Sequence, residues 1–379
     1  MVWMFWLVYA INVVFYQKNG ISISQITIID VIWAIAAFLM EVPTGILADR
    51  WSRKYMLALS SLFAGVGFLI FFVSGNFFPF VIATIFMAAR HAFASGTSNA
   101  LLYDSLKSLK RENEFEKILG RSRLLGVVSI SIAGILGSLV ANYSIRLPFI
   151  LSIIPAIVGV FIALSFKEPE IHSSTEEVKF FDHLKKSIRV VLTHPLIRFV
   201  FLYLILMDIA ISYMDEYDQL YLAAINFPLV FFGIWIGLRR GLGGIGGYFA
   251  EKFKNKSSAN IKLFSLATMF CVLAAIGLGG KILGLVAFLL IFPIWGIAEV
   301  LVWGEIHSQV ESCQRATIES LIVFFGIVID IPARLGFGFI SQSFGIKAGY
   351  LYVLGILVLY LPFFLLKKSN LLILTKGDK

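Results

Sequence analysis

Apolar runs long enough to cross a bilayer recur twelve times in this chain of 379 residues, at roughly 1 to 17, 23 to 48, 55 to 74, 79 to 104, 121 to 142, 147 to 166, 197 to 222, 228 to 250, 261 to 279, 282 to 304, 316 to 340 and 347 to 366. About 20 apolar residues wound into a helix cover a hydrocarbon core of ~30 Å, and a helix satisfies its backbone polar groups within one segment. The pattern therefore predicts an all-α membrane protein, and the runs are spans 1 to 12. Hydrophobic residues make up 59% of the chain and charged ones 15%, whereas a soluble domain is about half apolar and about a quarter charged. The first run has neither the basic start nor the small-residue cleavage site of a signal peptide. At ~24 Å as a helix it is short for a span, so either the helix is short or residues precede it.

The net charge of +9 would suit nucleic acid, but the basic residues fall in short loops between apolar runs, which is the distribution that sets topology. One side collects Arg50, Arg53, Lys54, Lys107, Lys110, Arg111 and Lys117, then the basic residues between spans 6 and 7, then Lys252, Lys254, Lys256 and Lys262, and finally the tail. The other side holds only Lys18, Arg146, Lys281 and Lys347. This asymmetry predicts that both termini face the cytoplasm, in the cell membrane. Cys271 and Cys313 read as free thiols, and no metal-ligand spacing surrounds either. No phosphate-cradling glycine loop, HExxH or GxSxG occurs, so neither a cofactor, a metal nor enzymatic chemistry is expected.

The long polar interruption at Lys167 to Pro195 divides the spans six and six. The expected domains are an N-terminal six-helix bundle over 1–166, a cytoplasmic linker over 167–196, and a C-terminal bundle with a short tail over 197–379. Within the linker Val178, Phe181, Leu184, Ile188 and Val191 recur at helical spacing. They predict an amphipathic helix on the inner membrane surface or, equally, a solvated tether.

Where span 2 ends, Glu41-x-Pro43-Thr44-Gly45-x-Leu47-Ala48-Asp49-Arg50-x-x-Arg53-Lys54 closes an apolar run with a knot of charge. Gly45 and Ala48 are small enough to admit a neighbouring helix. Arg50, Arg53 and Lys54 complement the negative end of a helix, while Asp49 opposes it and needs a partner. These residues read equally as a positive-inside anchor. The string also resembles the loop between helices 2 and 3 in the major facilitator superfamily of secondary transporters, with Ser52 where that pattern has glycine, and its first residues resemble an extension found in bacterial drug-efflux members. Gly247-Tyr-Phe249-Ala250-Glu251-Lys252 echoes Gly45-Ile-Leu47-Ala48-Asp49-Arg50 at the end of span 8. This internal repeat is the superfamily's own pattern of two parallel halves. If the echo holds, span 8 reaches Ala250 and puts Arg239 and Arg240 near mid-depth. The resemblance implies two pseudo-symmetric six-helix bundles. It also implies a conformational latch built from Glu41, Gly45, Asp49, Arg50, Arg53, Lys54, Asp104, Gly247 and Glu251, in which Asp49 meets the N-terminus of span 11. Asn255 in place of the second arginine predicts a weaker second latch.

An ionisable side chain inside the hydrocarbon region costs a few kcal/mol on insertion scales, so each one marks a functional hypothesis. Spans 3, 6, 9 and 12 are essentially free of interior charge, which suggests that they face lipid. Asp208, Arg90, Asp30 and Glu299 are the candidates for proton coupling, Asp208 first, because a desolvated carboxylate takes up and releases protons near neutral pH. Arg90 has no partner three or four residues away and must find one on another helix, whether its role is functional or structural. Arg239, Arg240, Asp330, Arg334, Asp215, Glu216 and Asp218 are the candidates for a substrate cavity. Asp330 and Arg334, four apart, share a face and can neutralise each other. Arg239 and Arg240 point about 100° apart, so one is expected to meet an anionic substrate group while the other pairs with an acid such as Asp208 or snorkels. The Asp215 to Asp218 cluster is expected to be a wetted gate or a partner of Lys18.

The resulting expectation is a secondary active transporter that moves a small-molecule substrate by alternating access, with the proton as coupling ion, the bilayer as its solvent, no nucleic acid, and a monomeric state. Efflux follows from the resemblance around Glu41 to Gly45, although span 5 lacks the Gly-Pro element of similar antiporters. Proton-linked uptake of an anionic metabolite, motivated by Arg90, Arg239 and Arg240, is the rival within transport. A non-transporting receptor or scaffold on the same fold is the rival from another class.

Overall fold

The computed structural model describes residues 5–167, 195–308 and 312–374. The linker helix expected at 178–191, the side chains of Asp49 and Arg50, and the first side chains of span 11 lie outside the described residues, and so does the contact expected of Asp49. All described regular structure is helical: α1 (Asn12–Lys18, after a 3-10 turn at Leu7–Ala10), α2 (Ile23–Arg50), α3 (Arg53–Val73), α4 (Phe77–Ala94), α5 (Thr97–Ser108), α6 (Phe115–Ala141), α7 (Leu147–Ser165), α8 (Pro195–Glu216), α9 (Asp218–Ala224), α10 (Phe232–Phe249), α11 (Ser258–Leu278), α12 (Lys281–Ser308), α13 (Ser312–Phe344) and α14 (Ile346–Leu374). Ten membrane spans among the described residues are long and apolar enough by composition alone.

Local sequence explains where these helices start and break. Ser22 opens α2 with a capping box, its hydroxyl accepting from the Gln25 N–H at 3.2 Å while the Gln25 side chain accepts from the Ser22 N–H at 3.0 Å. Span 4, expected as one helix, is two: Gly96 at φ +70° separates α4 from α5, a conformation that glycine adopts at no steric cost. Span 7 breaks at Tyr217 into α8 and α9, with no glycine or proline to announce it. Span 8 continues as α10 to Phe249 and adds a 3-10 turn at Ala250–Phe253, so Arg239 and Arg240 lie inside the helix, as the internal echo requires.

The chain forms two compact units, one of Met1–Thr175 with Leu222–Gly237 and the other of Glu176–Tyr221 with Leu238–Lys379. In the first, α3 packs against α4 and α7, α2 against α4, and the turn at Leu7–Ala10 against α6 and α7. Gly137 is needed there, because a Cβ would collide with the Leu7 carbonyl. Phe15, Phe80 and Phe149, from spans 1, 4 and 6, form a ring cluster with centroids 4.2 Å apart for Phe15–Phe149 and 5.6 Å for Phe15–Phe80. Arg146, just before α7, donates to the Phe72 carbonyl near the end of α3 and to Asn19 Oδ1 at 2.6 Å.

The second unit repeats the scheme. Here α11 packs against α12 and α14, α13 against α14, and α8 against α12, α13 and α14. Tyr221, Phe288 and Tyr350, from spans 7, 10 and 12, take the places of the phenylalanine cluster, with Tyr221–Phe288 at 5.2 Å and Phe288–Tyr350 at 5.5 Å. Lys347, at the start of α14, donates to the Gly279 carbonyl just past α11 at 2.8 Å, as Arg146 does in the first unit. Close helix approach occurs where α10 meets α12, since a Cβ at Gly246 would collide with the Pro293 carbonyl. Gly45, expected to admit a neighbour, faces open space instead.

Candidate transport and coupling site

The second unit concentrates its charge around the break in span 7. Arg239 of α10 is 0% exposed and donates to the carbonyl oxygens of Met214, at 2.9 Å, and Asp215, at 3.2 Å, both in the last turn of α8. A helix cannot satisfy its own last-turn carbonyls, so a buried break needs such a donor. The same guanidinium pairs with the Asp215 carboxylate at 2.8 Å and with Asp218 at 3.3 Å, while Arg240 holds the other Asp215 oxygen at 2.9 Å. One carboxylate thus serves both adjacent arginines. Pairing with an acid, expected of one of them, is found for both, and the acids are Asp215 and Asp218 instead of Asp208. Within the cluster expected as a wetted gate, Asp218 is 1% exposed while the Asp215 and Glu216 side chains are 28% and 44% exposed, and their ion-pair partners are arginines of the same unit.

Arg334 of α13 organises the neighbouring group. Its Nε lies 2.8 Å from Asp330 Oδ2, the pairing that four-residue spacing predicts. Its Nη1 also pairs with Glu216 and donates to the Tyr217 hydroxyl at 3.1 Å. The guanidinium sits over the Tyr213 ring at 5.1 Å, and Tyr217 stacks on Phe337 at 4.9 Å. Removing Arg334 takes from Asp330 and Glu216 the cation they share, so Arg334 is the member on which the group depends.

Two carboxylates stay outside this pairing. Asp208 on α8 and Glu299 on α12 are exposed. Neither has an ion pair or hydrogen bond among the described residues. Glu299, then Asp330 and Glu216, are the charges whose fields reach Asp208. In the first unit Arg90 finds no carboxylate among the described residues; its guanidinium lies 4.3 Å over the Trp6 ring. Arg90 thus meets the extended residue that leads into the Leu7–Ala10 turn through an aromatic face instead of an acid. Asp30 is half-buried on α2, and its charge reaches the Tyr16 hydroxyl.

Of the latch residues, Arg53 pairs with Asp104, tying the start of α3 to α5. Lys54 lies 5.2 Å over the Tyr55 ring, Glu41 and Glu251 are exposed, and a Cβ at Gly247 would make ordinary contacts with Gly296 and Val300. A second pair escaped the sequence reading. Lys262, expected in a loop, is 2% exposed inside α11, and its Nζ lies 2.6 Å from Glu305 near the end of α12, where the Ser258 hydroxyl also donates at 2.6 Å. It matches Arg53–Asp104 span for span, 9 with 10 as 3 with 4.

Two six-span helical units with the same packing scheme, each with a few charges held inside apolar helices, define a polytopic membrane transporter. The sequence model of the Major Facilitator Superfamily matches residues 1–314, and the chain belongs to that family. It is a multi-pass transporter, not an enzyme. The uncharacterized MFS-type transporter YxaM of Bacillus subtilis (strain 168) is 22% identical over 370 residues, 92% of this chain and 87% of that protein. Multidrug resistance protein 2 of the same organism is 28% identical over 194 residues, 48% of this chain and 45% of that one. The crystal structure of the nucleoside transporter NupG is similar in fold, with a TM-score of 0.75 at 14% identity over 96% of this chain and 95% of that one.

Proposed function

We propose that the protein exports a small organic solute across the cytoplasmic membrane in exchange for protons, by alternating access. It works as a monomer with both termini in the cytoplasm. The observation that carries this reading is Asp208: an ionisable group kept within an apolar span, outside the pairing that occupies its neighbours, is what a proton carrier requires. Glu299 is the second acid of this kind. The drug-efflux-like string at Glu41 to Gly45 and the multidrug-resistance name of one relative support export. The anion-uptake rival is weakened, because two of the three arginines that motivated it are occupied by Asp215 and Asp218.

Proteoliposomes test the reading with a panel of radiolabelled nucleosides and fluorescent organic cations as probes. An inward proton gradient should expel a transported probe, and Asp208→Asn should abolish that coupling while leaving probe-for-probe exchange in place. Accumulation of the probe along the inward proton gradient, or full coupling in Asp208→Asn, would rule the proposal out.

A further inference from the structure

Within the first unit, where α2 and α3 pack on α4, the three helices leave a crevice of about 400 Å³. Met40, Pro43 and Leu47 of α2 line it, with Phe86 and Phe93 of α4 and Phe63 of α3. The Phe63 ring lies 5.2 Å from Phe93 and 6.0 Å from Phe86, so ring packing holds α3 to α4 beside it. Thr44 is the polar residue of the lining, and its hydroxyl is already engaged, 2.8 Å from the Met40 carbonyl and 3.2 Å from the Ala92 carbonyl of α4. A water in the crevice would find no partner there, and a cavity of this kind takes apolar molecules.

The shape of the crevice narrows what that molecule is. Its lining runs from Met40 to Leu47 along α2 and from Ile85 to Phe93 along α4, which at about 1.5 Å per residue is ~10 and ~12 Å. Each leaflet contributes about half of a hydrocarbon core of ~30 Å, so the crevice is nearly as long as one acyl chain and is aligned with the helices that cross the bilayer. Both stretches lie in the halves of α2 and α4 that end at Arg50 and Ala94, hence within the depth of a single leaflet. Its rim is open, since Pro43 and Ile85 are exposed. Around that rim Leu39, Leu62 and Ile82 are exposed too, one from each helix, so the crevice continues the apolar surface that these spans turn outward.

We propose that this crevice is a lipid site, which takes one acyl chain of a phospholipid from the leaflet at the Arg50 end of α2. The chain completes the packing of α2 against α3 and α4 on the side where Thr44 alone joins α2 to α4 by a side-chain hydrogen bond. The site depends neither on the direction of transport nor on the transported solute.

The test uses the full-length protein in nanodiscs of palmitoyl-oleoyl-phosphatidylcholine doped with a phosphatidylcholine that carries a diazirine within its acyl chain. After irradiation, labelled residues are mapped by mass spectrometry. Label is expected at Phe63 and Phe86 as well as at Leu69, which is 50% exposed on α3 and reports the lipid around the protein. Ala89 lines the crevice and is 7% exposed, so Ala89→Phe fills it. Labelling at Phe63 should then be lost while labelling at Leu69 holds steady. Should Ala89→Phe yield no folded protein, Met40→Trp, which fills the crevice from the α2 side, decides in its place. An occupant other than lipid, such as an organic solute, would shield Phe63 and Phe86 in the unaltered protein while Leu69 is labelled. That result, or labelling at Phe63 that persists in the filled variant, would overturn the lipid site.

Discussion

The two units use one scheme of helix pairing and hold it together differently. In the first, spans 1, 4 and 6 meet through Phe15, Phe80 and Phe149, and Arg90 rests on a tryptophan ring. In the second, spans 7, 10 and 12 meet through Tyr221, Phe288 and Tyr350, and the Tyr350 hydroxyl reaches back to the Tyr213 carbonyl at 3.4 Å. Around that tyrosine cluster six carboxylates, at Asp208, Asp215, Glu216, Asp218, Glu299 and Asp330, stand against Arg239, Arg240 and Arg334. In the first unit the meeting of these three spans is made by ring packing without a comparable cluster of ion pairs among the described residues. The charge in the second is an addition to the scheme, which is why transport chemistry is sought there.

The sharpest way to break this comparison is to remove one arginine from each unit. Arg334→Ala strands Glu216 and Asp330 and should cost about 3–5 kcal/mol, whereas Arg90→Ala leaves no carboxylate behind and should cost under about 1 kcal/mol. Denaturant unfolding of the purified variants in detergent measures both, and equal losses would mean that the units are not held differently. Next in size, Gly246→Ala in the second unit forces a Cβ into the Pro293 carbonyl and should cost about 1–3 kcal/mol. Gly45→Ala in the first fills open space and should be neutral or gain up to about 1 kcal/mol from helix propensity. Melting temperatures order the two, and a loss at Gly45 comparable to that at Gly246 would restore the packing role the sequence suggested. The smallest difference lies between the matched pairs Lys262–Glu305 and Arg53–Asp104. Glu305→Gln leaves a buried Lys262 poorly compensated and should cost about 2 kcal/mol, against about 0.5–1 kcal/mol for Asp104→Asn, whose carboxylate is 32% exposed. Thermal shift of each variant checks the ranking, which fails if Asp104→Asn is the more harmful.

What was legible in the sequence follows the range of the interaction. Apolar length gave the spans, and four-residue spacing gave Asp330–Arg334, because both are properties of one segment. The register of span 8 came from comparing the chain with itself. The partners of Arg239 and Arg240 were out of reach. They depend on a helix break at Tyr217, within Met-Asp-Glu-Tyr-Asp-Gln, where nothing in the local residues interrupts a helix. Gly45 and Gly246 show the same limit from the other side, since a small residue permits close approach but does not say whether a helix is there to approach.

Arg146 and Lys347 were two of the four basic residues that fell on the wrong side of the charge asymmetry. Each is taken up by the end of an apolar helix, at Phe72 and Gly279 respectively. In the orientation proposed above, with both termini cytoplasmic, they are cations that the machinery threading this chain into the bilayer must carry across against the usual bias. Once there, each meets carbonyl groups that no further helical turn would satisfy. The finished fold thus rewards the very translocation that charge counting disfavours, and it does so at the same point of each half, with a different amino acid.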